Sequence, residues 1–529
     1  MSTAMLPFLD DLTLRLGDQV ESTLSQNKHE VYLTLRDADI RPAISILRRE
    51  QQARVAAVFA EDRRSAEGCF LNHYVLEFPG NPCYLILTTR IDPDRPMFPS
   101  LSAEMPSLNW QEREIQDWFG IQLEGHPNPR RVALHDNWPS VHPLRKDFPI
   151  DCVLPPFEGE RHVYRPALGE GVFQIPVGPV HAGIIEPGHF SFAVAGEPIL
   201  YLQLRMFYTH KGTEKLFEGV PIDRAVFLAE SISGDSSFSH GTAFCQAVER
   251  AAAIEIPPVA ARMRTILLEL ERVYNHVADI GAIATDVGFV IANAHGSRLR
   301  EMMFKLNEQL TGNRLLRGMV RIGGVRRTWG DSQIAVLTQT LQEFEGEFQR
   351  LVDLILASDS TRDRLQRTGV LHPAKARDLG IVGVAGRASG VDLDVRRDHP
   401  YAGYAPYDMQ TTVYQEGDVC HRVHVRIDQV RASLRLLLDA VRHEFRGEPF
   451  IPVRKIAPGR CALGAVEGWR GEILHWIRIG EDGCLERCKI KDPSLNNWPA
   501  LVEAVQGNII PDFPVINKSF NLSYSGTDR

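Results

Sequence analysis

The sequence predicts an α+β protein, in which an N-terminal domain of mixed strands and helices precedes a helical bundle flanked by β structure. Two patterns carry this prediction. Short apolar runs at strand spacing occupy the first 150 residues, whereas apolar residues recur every three or four positions over long stretches after residue 222. The 529 residues are 44% hydrophobic and 24% charged, which is ordinary for a globular protein of several domains.

The first domain is predicted to span residues 1–150. The segments 31–37 (VYLTLRD) and 84–91 (YLILTTRI) indicate strands, and the segment 44–60 (ISILRREQQARVAAVFA) indicates one continuous helix. Proline and charged residues are frequent from 151 to 166, which predicts a linker. The second domain is then expected to cover residues 167–529.

The second domain is predicted to begin with strands and to continue with helices. Residues 189–208 (HFSFAVAGEPILYLQLRMFY) alternate large apolar side chains with small or polar ones, as strands do. Amphipathic helices are predicted around 266–280, 334–355 and 431–445. Because such helices bury one face against each other, we expect a bundle. From about residue 460 onward, the sequence predicts short strands and turns.

Composition excludes several classes of protein. The net charge of −8 gives no electrostatic basis for binding nucleic acid. No apolar run is long enough to cross a bilayer, and Asp10 and Asp11 interrupt the N-terminal apolar patch, so we expect neither a membrane span nor an export signal. The eight cysteines include no C-x-x-C pair, so we expect reduced thiols and no zinc or iron–sulfur site in this protein.

A specific motif occupies residues 112–149 (EREIQDWFGIQLEGHPNPRRVALHDNWPSVHPLRKDFP). An acidic helix start, a Gly-His-Pro turn and basic residues beside aromatics indicate an ordered docking segment. The whole string resembles the signature of the C-type subunit of respiratory complex I. The resemblance implies a first domain that carries no cofactor and packs against neighbouring subunits.

From about residue 163 to the last residue, the sequence resembles the D-type subunit of complex I and, equally, the large subunit of membrane-bound, energy-converting nickel–iron hydrogenases. Two features favour the hydrogenase branch, of the formate hydrogenlyase type. They are the fusion of the C-like and D-like parts in one chain and the form of the segment at 178–190. The resemblance implies a hydrogenase-large-subunit-like helical bundle. The segments that carry it include GPVHAGIIEPGHF (178–190), THKGTEKLFEG (209–219), SHGTAFCQAVERA (239–251), GRASGVDLDVRRDHPYAGY (386–404) and ALGAVEGWRGE (462–472).

The resemblance also identifies four positions where such hydrogenases carry the cysteines that bind nickel. Here those positions hold Ser233, Ser236, Ser523 and Gly526. Nickel in these enzymes is held by soft thiolates, whereas a serine hydroxyl is a hard, protonated donor and glycine has no side chain. We therefore expect no nickel site and no metal bound by this protein.

A bound quinone is an alternative that the resemblance leaves open. In complex I the quinone headgroup is held by a histidine and a tyrosine, each from one of two loops. His189 corresponds to the histidine, but the tyrosine position holds Gly234. Half of this arrangement is therefore missing from the sequence.

The resemblance implies a catalytic role for Glu186, His181 and His189. Hydrogenase relatives keep a glutamate at position 186 that passes protons to and from the metal thiolates. Its apolar neighbours Ile184, Ile185 and Pro187 should limit its solvation and raise its pKa. The alternative is an exposed turn glutamate.

Three further residues fall in motifs that line the cavity in the family: His240, Arg387 and Asp392. Each also has a simple structural interpretation. His240 would bond a carbonyl at a helix start, and Arg387 would pair with Asp392.

Together these motifs predict a fused C/D-type subunit of a membrane-associated, complex I-like oxidoreductase complex that couples electron transfer to ion translocation without nickel. The expected partners are a small subunit with a 4Fe–4S cluster and a membrane arm, on the cytoplasmic side of the inner membrane. The alternatives are a purely structural subunit, a working hydrogenase and an NADH–quinone oxidoreductase subunit with quinone in the cavity. A scaffold would not need Glu186, His181 and His189 together.

Overall fold

The fold is taken from a computed structural model that describes residues 6–36, 39–154, 156–157, 159, 162–181 and 185–529. The N-terminal region contains four helices and seven strands among these residues. In sequence order they are α1 (Leu9–Leu16), β1 (Val20–Asn27), β2 (Glu30–Leu35), α2 (Arg41–Gln51), β3 (Arg54–Arg63), α3 (Arg64–Glu67), β4 (Cys69–Phe78), β5 (Asn81–Ile91), β6 (Met97–Pro99), α4 (Asn109–Phe119) and β7 (Gln122–Glu124).

Five of these strands form one sheet in the order β1-β2-β5-β4-β3. Strands β2 and β5 run parallel, and the other neighbours are antiparallel. Helix α4 packs against β3, where the Val58 amide donates to Gln111 Oε1 at 2.9 Å. The predicted strands at 31–37 and 84–91 correspond to β2 and β5, except that Asp37 lies outside the described residues.

The prediction of one helix over 44–60 was wrong in its second half. Helix α2 ends at Gln51, because Gln52 takes a left-handed conformation with φ 53°, and β3 begins at Arg54. Residues 55–62 are buried on both faces of the sheet. Burial on both faces removes the polar alternation that marks a strand, so the alanine-rich run resembled a helix in the sequence.

The rest of the protein contains fourteen helices and eight strands among the described residues. The strands are β8 (Val172–Val177), β9 (His189–Ala195), β10 (Ile199–Arg205), β11 (Val320–Arg321), β12 (Gly324–Val325), β13 (Cys461–Gly468), β14 (Gly471–Ile479) and β15 (Leu485–Lys491). The helices are α5 (Thr213–Leu216), α6 (Ile222–Ala229), α7 (Ser237–Ala251), α8 (Pro258–Asp286), α9 (Val290–Thr311), α10 (Asp331–Leu356), α11 (Asp359–Leu365), α12 (Pro373–Asp378), α13 (Gly383–Ala388), α14 (Val395–Asp398), α15 (Val419–Ala440), α16 (Pro493–Ala504), α17 (Phe513–Phe520) and α18 (Tyr524–Asp528).

Helix α8 is the centre of the predicted bundle and packs against α9, α15 and α17. Close approach of α8 and α9 requires glycine, because a Cβ at Gly296 would lie 3.1 Å from the Cα of Gly281. The predicted helices at 266–280 and 334–355 correspond to α8 and α10. The third begins earlier than predicted and ends at Ala440, as α15.

A second sheet, β13-β14-β15, joins the bundle to the N-terminal region. Helix α7 lies on it so closely that a Cβ at Gly464 would overlap the carbonyl oxygen of Ala243. On the other side, the Trp476 indole donates to the Tyr32 hydroxyl at 3.0 Å, and Arg478 pairs with Glu61 at 2.7 Å. These contacts fix α7, whose first turn carries part of the candidate site.

The C-terminal region was only partly predicted. The expected strands are β13 to β15, but three helices, α16 to α18, follow them. Asp492 accepts from the Ser494 amide and caps α16 with Pro493 in the first turn, a helix-start signal that the sequence contains. Across the described ranges, no helix is both long and apolar enough to cross a membrane.

Candidate functional site

The four positions singled out from the sequence come together at one place, between the loop after α6 and the start of α18. The hydroxyl oxygens of Ser233 and Ser523 lie 2.9 Å apart. Ser523 is the N-cap of α18, and its hydroxyl accepts from the amide of Gly526 at 2.9 Å. The side chains of Ser233 and Ser523 therefore hold these two segments in direct contact.

Ser236 joins the same cluster through Asp235. The Asp235 carboxylate accepts from the Ser233 hydroxyl at 2.8 Å and from the Ser236 hydroxyl at 3.4 Å. Arg470 donates to both carboxylate oxygens, at 2.8 and 2.6 Å. Burial alone would raise the pKa of Asp235, but the charge of Arg470 and the hydrogen bonds from the two serines lower it by a larger amount. The net pKa is therefore lowered, and the carboxyl stays ionised near neutral pH.

Every serine hydroxyl of the cluster already has a protein partner. Ser236 also accepts from the Trp469 indole at 3.1 Å, and Ser523 is occupied by Ser233 and by the Gly526 amide. No group of three or more histidine, cysteine, aspartate or glutamate side chains in the described part of the protein is arranged to hold a metal ion. Hydroxyls that are bonded to protein and carry no charge do not fit nickel, which requires soft, anionic donors.

Gly526 is enclosed by a buried aspartate. A Cβ at this position would lie 2.6 Å from the Asp492 carboxylate and 2.9 Å from the Ser523 hydroxyl. Asp492 Oδ2 is in turn 3.1 Å from His240 Nε2, and His240 Nδ1 is 3.0 Å from His475 Nε2. All three side chains of this Asp-His-His series are buried, so His240 belongs to the wall of the site rather than to a simple carbonyl contact.

The first turn of α7 is capped by a buried carboxyl group. Glu271 of α8 accepts from the amides of Phe238 and Ser239 at 2.8 and 3.1 Å and from the Ser239 hydroxyl. Burial raises the pKa of Glu271 to about 7, although these donors lower it in part. An acid with this pKa at a helix N-terminus changes charge near neutral pH, next to the serine cluster.

Glu186 reaches the cluster from outside. Its carboxylate accepts from the Ser525 amide at 2.9 Å, and Ser525 lies between Ser523 and Gly526. The Glu186 side chain is exposed and its neighbour Ile185 is 43% exposed, so the described residues do not form the apolar enclosure predicted from the sequence. Ile184, the third residue of that argument, lies outside the described residues.

The two histidines near Glu186 do not join it. His181 Nε2 lies 2.8 Å from the Gly188 carbonyl, a contact that closes the base of the loop. His189, at the start of β9, has its ring 5.0 Å from that of Tyr164, and its buried Nδ1 has no partner among the described residues. Burial lowers its pKa, with Arg205 and His181 adding to the effect. No hydrogen bond among the described residues joins the three predicted catalytic side chains to one another.

The predicted pairing of Arg387 with Asp392 is also not found. Arg387 is buried and bonds Glu467, with Asp394 at 3.2 Å. Asp392 is exposed and pairs with Arg397 at 2.7 Å. Asp394 is buried, whereas Asp392, two residues earlier, is exposed. The structure therefore brings Arg387 into the core and leaves Asp392 away from the serine cluster.

Comparisons with known proteins agree with this architecture. Residues 33–152 match the family described as respiratory-chain NADH dehydrogenase, 30 Kd subunit, and residues 286–458 match the 49 Kd subunit. Formate hydrogenlyase subunit 5 of Escherichia coli is 34% identical over 511 residues, which cover 95% of this chain and 90% of that protein. The chain belongs to the family of fused 30 kDa and 49 kDa subunits of complex I-like and hydrogenase-related complexes.

Other members of this family carry different names. The fused C/D subunit of NADH-quinone oxidoreductase from Phocaeicola vulgatus is 27% identical, over 86% of this chain and 92% of that protein. Among solved structures, a chain of the archaeal membrane-bound sulfane sulfur reductase matches with a TM-score of 0.64 and 25% identity, over 68% of this chain and 99% of that one. One fold therefore occurs in complexes named for different redox reactions.

The sequence analysis did not single out several residues of the site: Asp235, Glu271, Arg470, His475, Asp492 and Ser525. Asp235 stands between two serines that were singled out, and Arg470 lies in a segment that carried the resemblance. Both residues could therefore have been identified as site candidates from the sequence. His475 and Asp492 join the site only because β14 and the start of α16 pack behind α7, which no local pattern shows.

The arrangement can carry protons but offers no ligand set for a soft metal. Hydroxyl groups both donate and accept, so they can pass a proton from one to the next. Here Ser525, Ser523 and Ser233 lead inward to Asp235, with oxygen distances of 3.5, 2.9 and 2.8 Å. This hydroxyl series starts beside the exposed Glu186 and ends at the Asp235–Arg470 pair.

Proposed function

We propose that this chain is the large subunit of a membrane-associated, complex I-like oxidoreductase complex that works without nickel. In this role it helps to couple electron transfer, which takes place on partner subunits, to the movement of ions through a membrane arm. Relatives with names from hydrogenases and from NADH–quinone oxidoreductases support the class of complex.

The contact between Ser233 and Ser523 is the observation that carries the nickel-free part of this proposal. In the hydrogenases that the sequence resembles, these two positions hold metal-binding thiolates from the two ends of the bundle. Here they bond each other and Asp235 instead. A closed hydrogen-bond network stabilises the site in the absence of a metal and leaves no anionic thiolate ligand.

Glu186 is the proposed point where protons enter or leave this network. It is exposed, and its carboxylate bonds the Ser525 amide at the start of the hydroxyl series. Burial lowers the pKa of the nearby Lys211, and the negative charge of Glu186 offsets part of that shift. An exposed carboxylate at the mouth of the network suits proton exchange between solvent and the hydroxyl series.

Partner subunits follow from the same proposal. A small subunit with a 4Fe–4S cluster would bring electrons to the site, and the membrane arm would hold the complex on the cytoplasmic face of the inner membrane. The proposal does not include a quinone bound between residues 189 and 234. His189 packs on Tyr164, and Gly234 has no side chain that could hold the quinone together with His189.

Isolation of the intact complex tests the proposal. With an affinity tag on this chain, detergent-solubilised membranes should yield a cluster-bearing subunit and membrane subunits in fixed ratio, identified by mass spectrometry and by iron and acid-labile sulfide. The preparation should neither take up nor evolve hydrogen. A monodisperse, partner-free monomer would contradict the proposal, as would hydrogen turnover.

A scaffold without proton chemistry is the second candidate, and two contacts favour it. His181 bonds a backbone carbonyl, and Arg387 is held by buried carboxylates, so both have structural roles. The scaffold and the coupling role differ in their dependence on Glu186, which a scaffold does not need. The variant that separates them is described in the Discussion.

A further inference from the structure

An open pocket of about 450 Å³ lies at the C-terminal end of α7, away from the serine cluster. Its walls come from α7, the turn after β1, residues 254–256 and residues 400–402. Arg250 in this pocket is ten residues from His240, or about 15 Å along the helix axis. The volume is within the range of small-molecule sites.

Arg250 is a buried cation without a carboxylate partner. It is 8% exposed, and its Nη1 donates to the Leu463 carbonyl at 2.6 Å. No other described residue accepts a hydrogen bond from its guanidinium, and no carboxylate oxygen of the described residues lies within 4.0 Å. Glu30, the acid whose charge acts on it most strongly, is already bonded to Asn27 and to the Leu463 amide.

The neighbouring Arg264, in the same pocket, shows the acceptors that a buried guanidinium normally has. Arg264 bonds both oxygens of Glu249 and the carbonyl of Gly324. Burying a guanidinium without such an acceptor is costly, because the charge loses its hydration and gains little in return. Arg250 therefore faces the pocket with donors that the described residues leave unfilled.

A second unfilled donor lies on the same helix face. Thr242 is 1% exposed, lines the pocket, and its hydroxyl has no partner among the described residues. Thr242 and Arg250 are eight residues apart, a spacing that places both on one side of α7. Both side chains therefore line the same pocket.

The remaining lining sets the character of that ligand. Ile254 and Ile256 supply apolar surface, and His29 is kept neutral because burial lowers its pKa to about 3. Glu249 is already paired with Arg264, and Glu255 at the rim with Lys28. One unpaired cation beside carboxylates that are already paired matches a ligand with a single negative charge better than a phosphate dianion.

We propose that this pocket binds a small organic carboxylate, whose oxygens accept hydrogen bonds from Arg250 and Thr242 and whose apolar body lies against Ile254 and Ile256. The site is separate from the serine cluster and does not depend on the redox role proposed above. Arg250 provides the charge, and Thr242 provides directional binding.

Calorimetric titration of the purified complex tests the proposal, with benzoate and hexanoate as probes and benzamide and inorganic phosphate as comparisons. We expect both carboxylates to bind at one site per chain. Arg250→Gln should weaken the binding at least tenfold and Thr242→Val about threefold, the range usual for losing one charged or one neutral hydrogen bond. The matched control is Arg446→Gln, a surface arginine, which should bind as the wild type does.

Chemical protection keeps the test informative if Arg250→Gln fails to assemble. Phenylglyoxal reacts with accessible guanidinium groups, so wild-type Arg250 should be modified, and saturating benzoate should slow that modification at least fivefold. Modification of Arg446 serves as the internal reference and should not change. Equal binding of benzamide, preference for phosphate, or labelling of Arg250 that benzoate leaves unchanged would each overturn the assignment.

Discussion

Ser233 and Ser523 are separated by 290 residues, yet their hydroxyl oxygens lie 2.9 Å apart. The contact joins the loop before α7 to the first turn of α18, so it closes the site between the two ends of the bundle. Each hydroxyl also has a further protein partner, Asp235 for Ser233 and the Gly526 amide for Ser523. The predictions below follow from this network and from the residues that hold it in position.

Replacing Glu186 by Gln tests proton exchange at the mouth of the network. The change is nearly isosteric and keeps an acceptor for the Ser525 amide, but it removes the titrating group. Ion movement driven by the complex in inverted membrane vesicles should fall by roughly ten- to ten-thousand-fold, the range for losing a positioned acid or base. Assembly, checked by native electrophoresis, should be unchanged.

Glu197→Gln is the matched control for this variant, because Glu197 is an exposed glutamate at the turn between β9 and β10. It should retain wild-type ion movement. If Glu186→Gln were equally active, the scaffold interpretation would be correct.

Asp492 is predicted to hold α16 and His240 together. Asp492→Ala removes the N-cap acceptor of α16 and leaves His240 Nε2 buried without its partner. The free energy of unfolding should fall by about 1–3 kcal/mol. Thermal unfolding measures the loss, and Asp492→Asn, which retains an acceptor for the Ser494 amide, should lose less. Equal stability of the alanine variant and the wild type would show that the Asp-His-His series contributes nothing.

The pH dependence of stability should contain a contribution from Glu271. Its folded-state pKa of about 7 lies above its ordinary value of 4.5, so the folded protein binds this proton more tightly than the unfolded protein does. Stability from this group is therefore complete below about pH 4.5 and is lost as the pH rises through about 7. The expected loss is roughly 3 kcal/mol, at about 1.4 kcal/mol for each unit by which the pKa is raised.

Melting temperatures at several pH values measure this contribution against Glu271→Gln, which cannot titrate. The wild type should lose stability relative to the variant as the pH rises from about 5 to about 8. Parallel curves for the two proteins would mean that Glu271 has an ordinary pKa.

Arg529 is predicted to hold the N-terminal and C-terminal parts of the protein together. Its guanidinium bonds Glu114 on α4 and, at 2.9 Å, Glu214 on α5, and all three side chains are buried. Both carboxylates also pair with Lys489, and Glu214 pairs with Arg487 as well. Arg529→Ala therefore removes one of several cations and should destabilise the protein by about 1–3 kcal/mol. Arg529→Lys should lose less, because it keeps the charge. Limited proteolysis within 125–171, where the described residues form no helix or strand, would detect the separation.

The fold could be predicted largely from local patterns. Helical spacing indicated α8 and α10, and alternation indicated β9 and β10. Local patterns failed where tertiary packing decides the conformation. The strand β3 is buried on both faces and therefore lacked alternation, and the helices after β15 were missed although Asp492 and Pro493 mark a helix start.

The site could be predicted only in part, for a related reason. Motif resemblance identified Ser233 and Ser523, which the structure brings into contact. It could not show that the Asp235–Arg470 pair lies beside them. It also grouped His189 with Glu186, because the family motif at 178–190 contains both residues. Their side chains point to different neighbours once β9 begins.

The nickel content of the purified complex tests the central claim most directly. Cells are grown with added nickel, the complex is isolated through a tag on this chain, and nickel and iron are measured in the same sample by mass spectrometry of the elements. Iron from the partner clusters is the internal control for loss of metals during purification. Because Ser233, Ser236, Ser523 and Gly526 offer no thiolate, we expect fewer than about 0.1 nickel atoms per chain. One nickel atom per chain, in a preparation that retains its iron, would contradict the account.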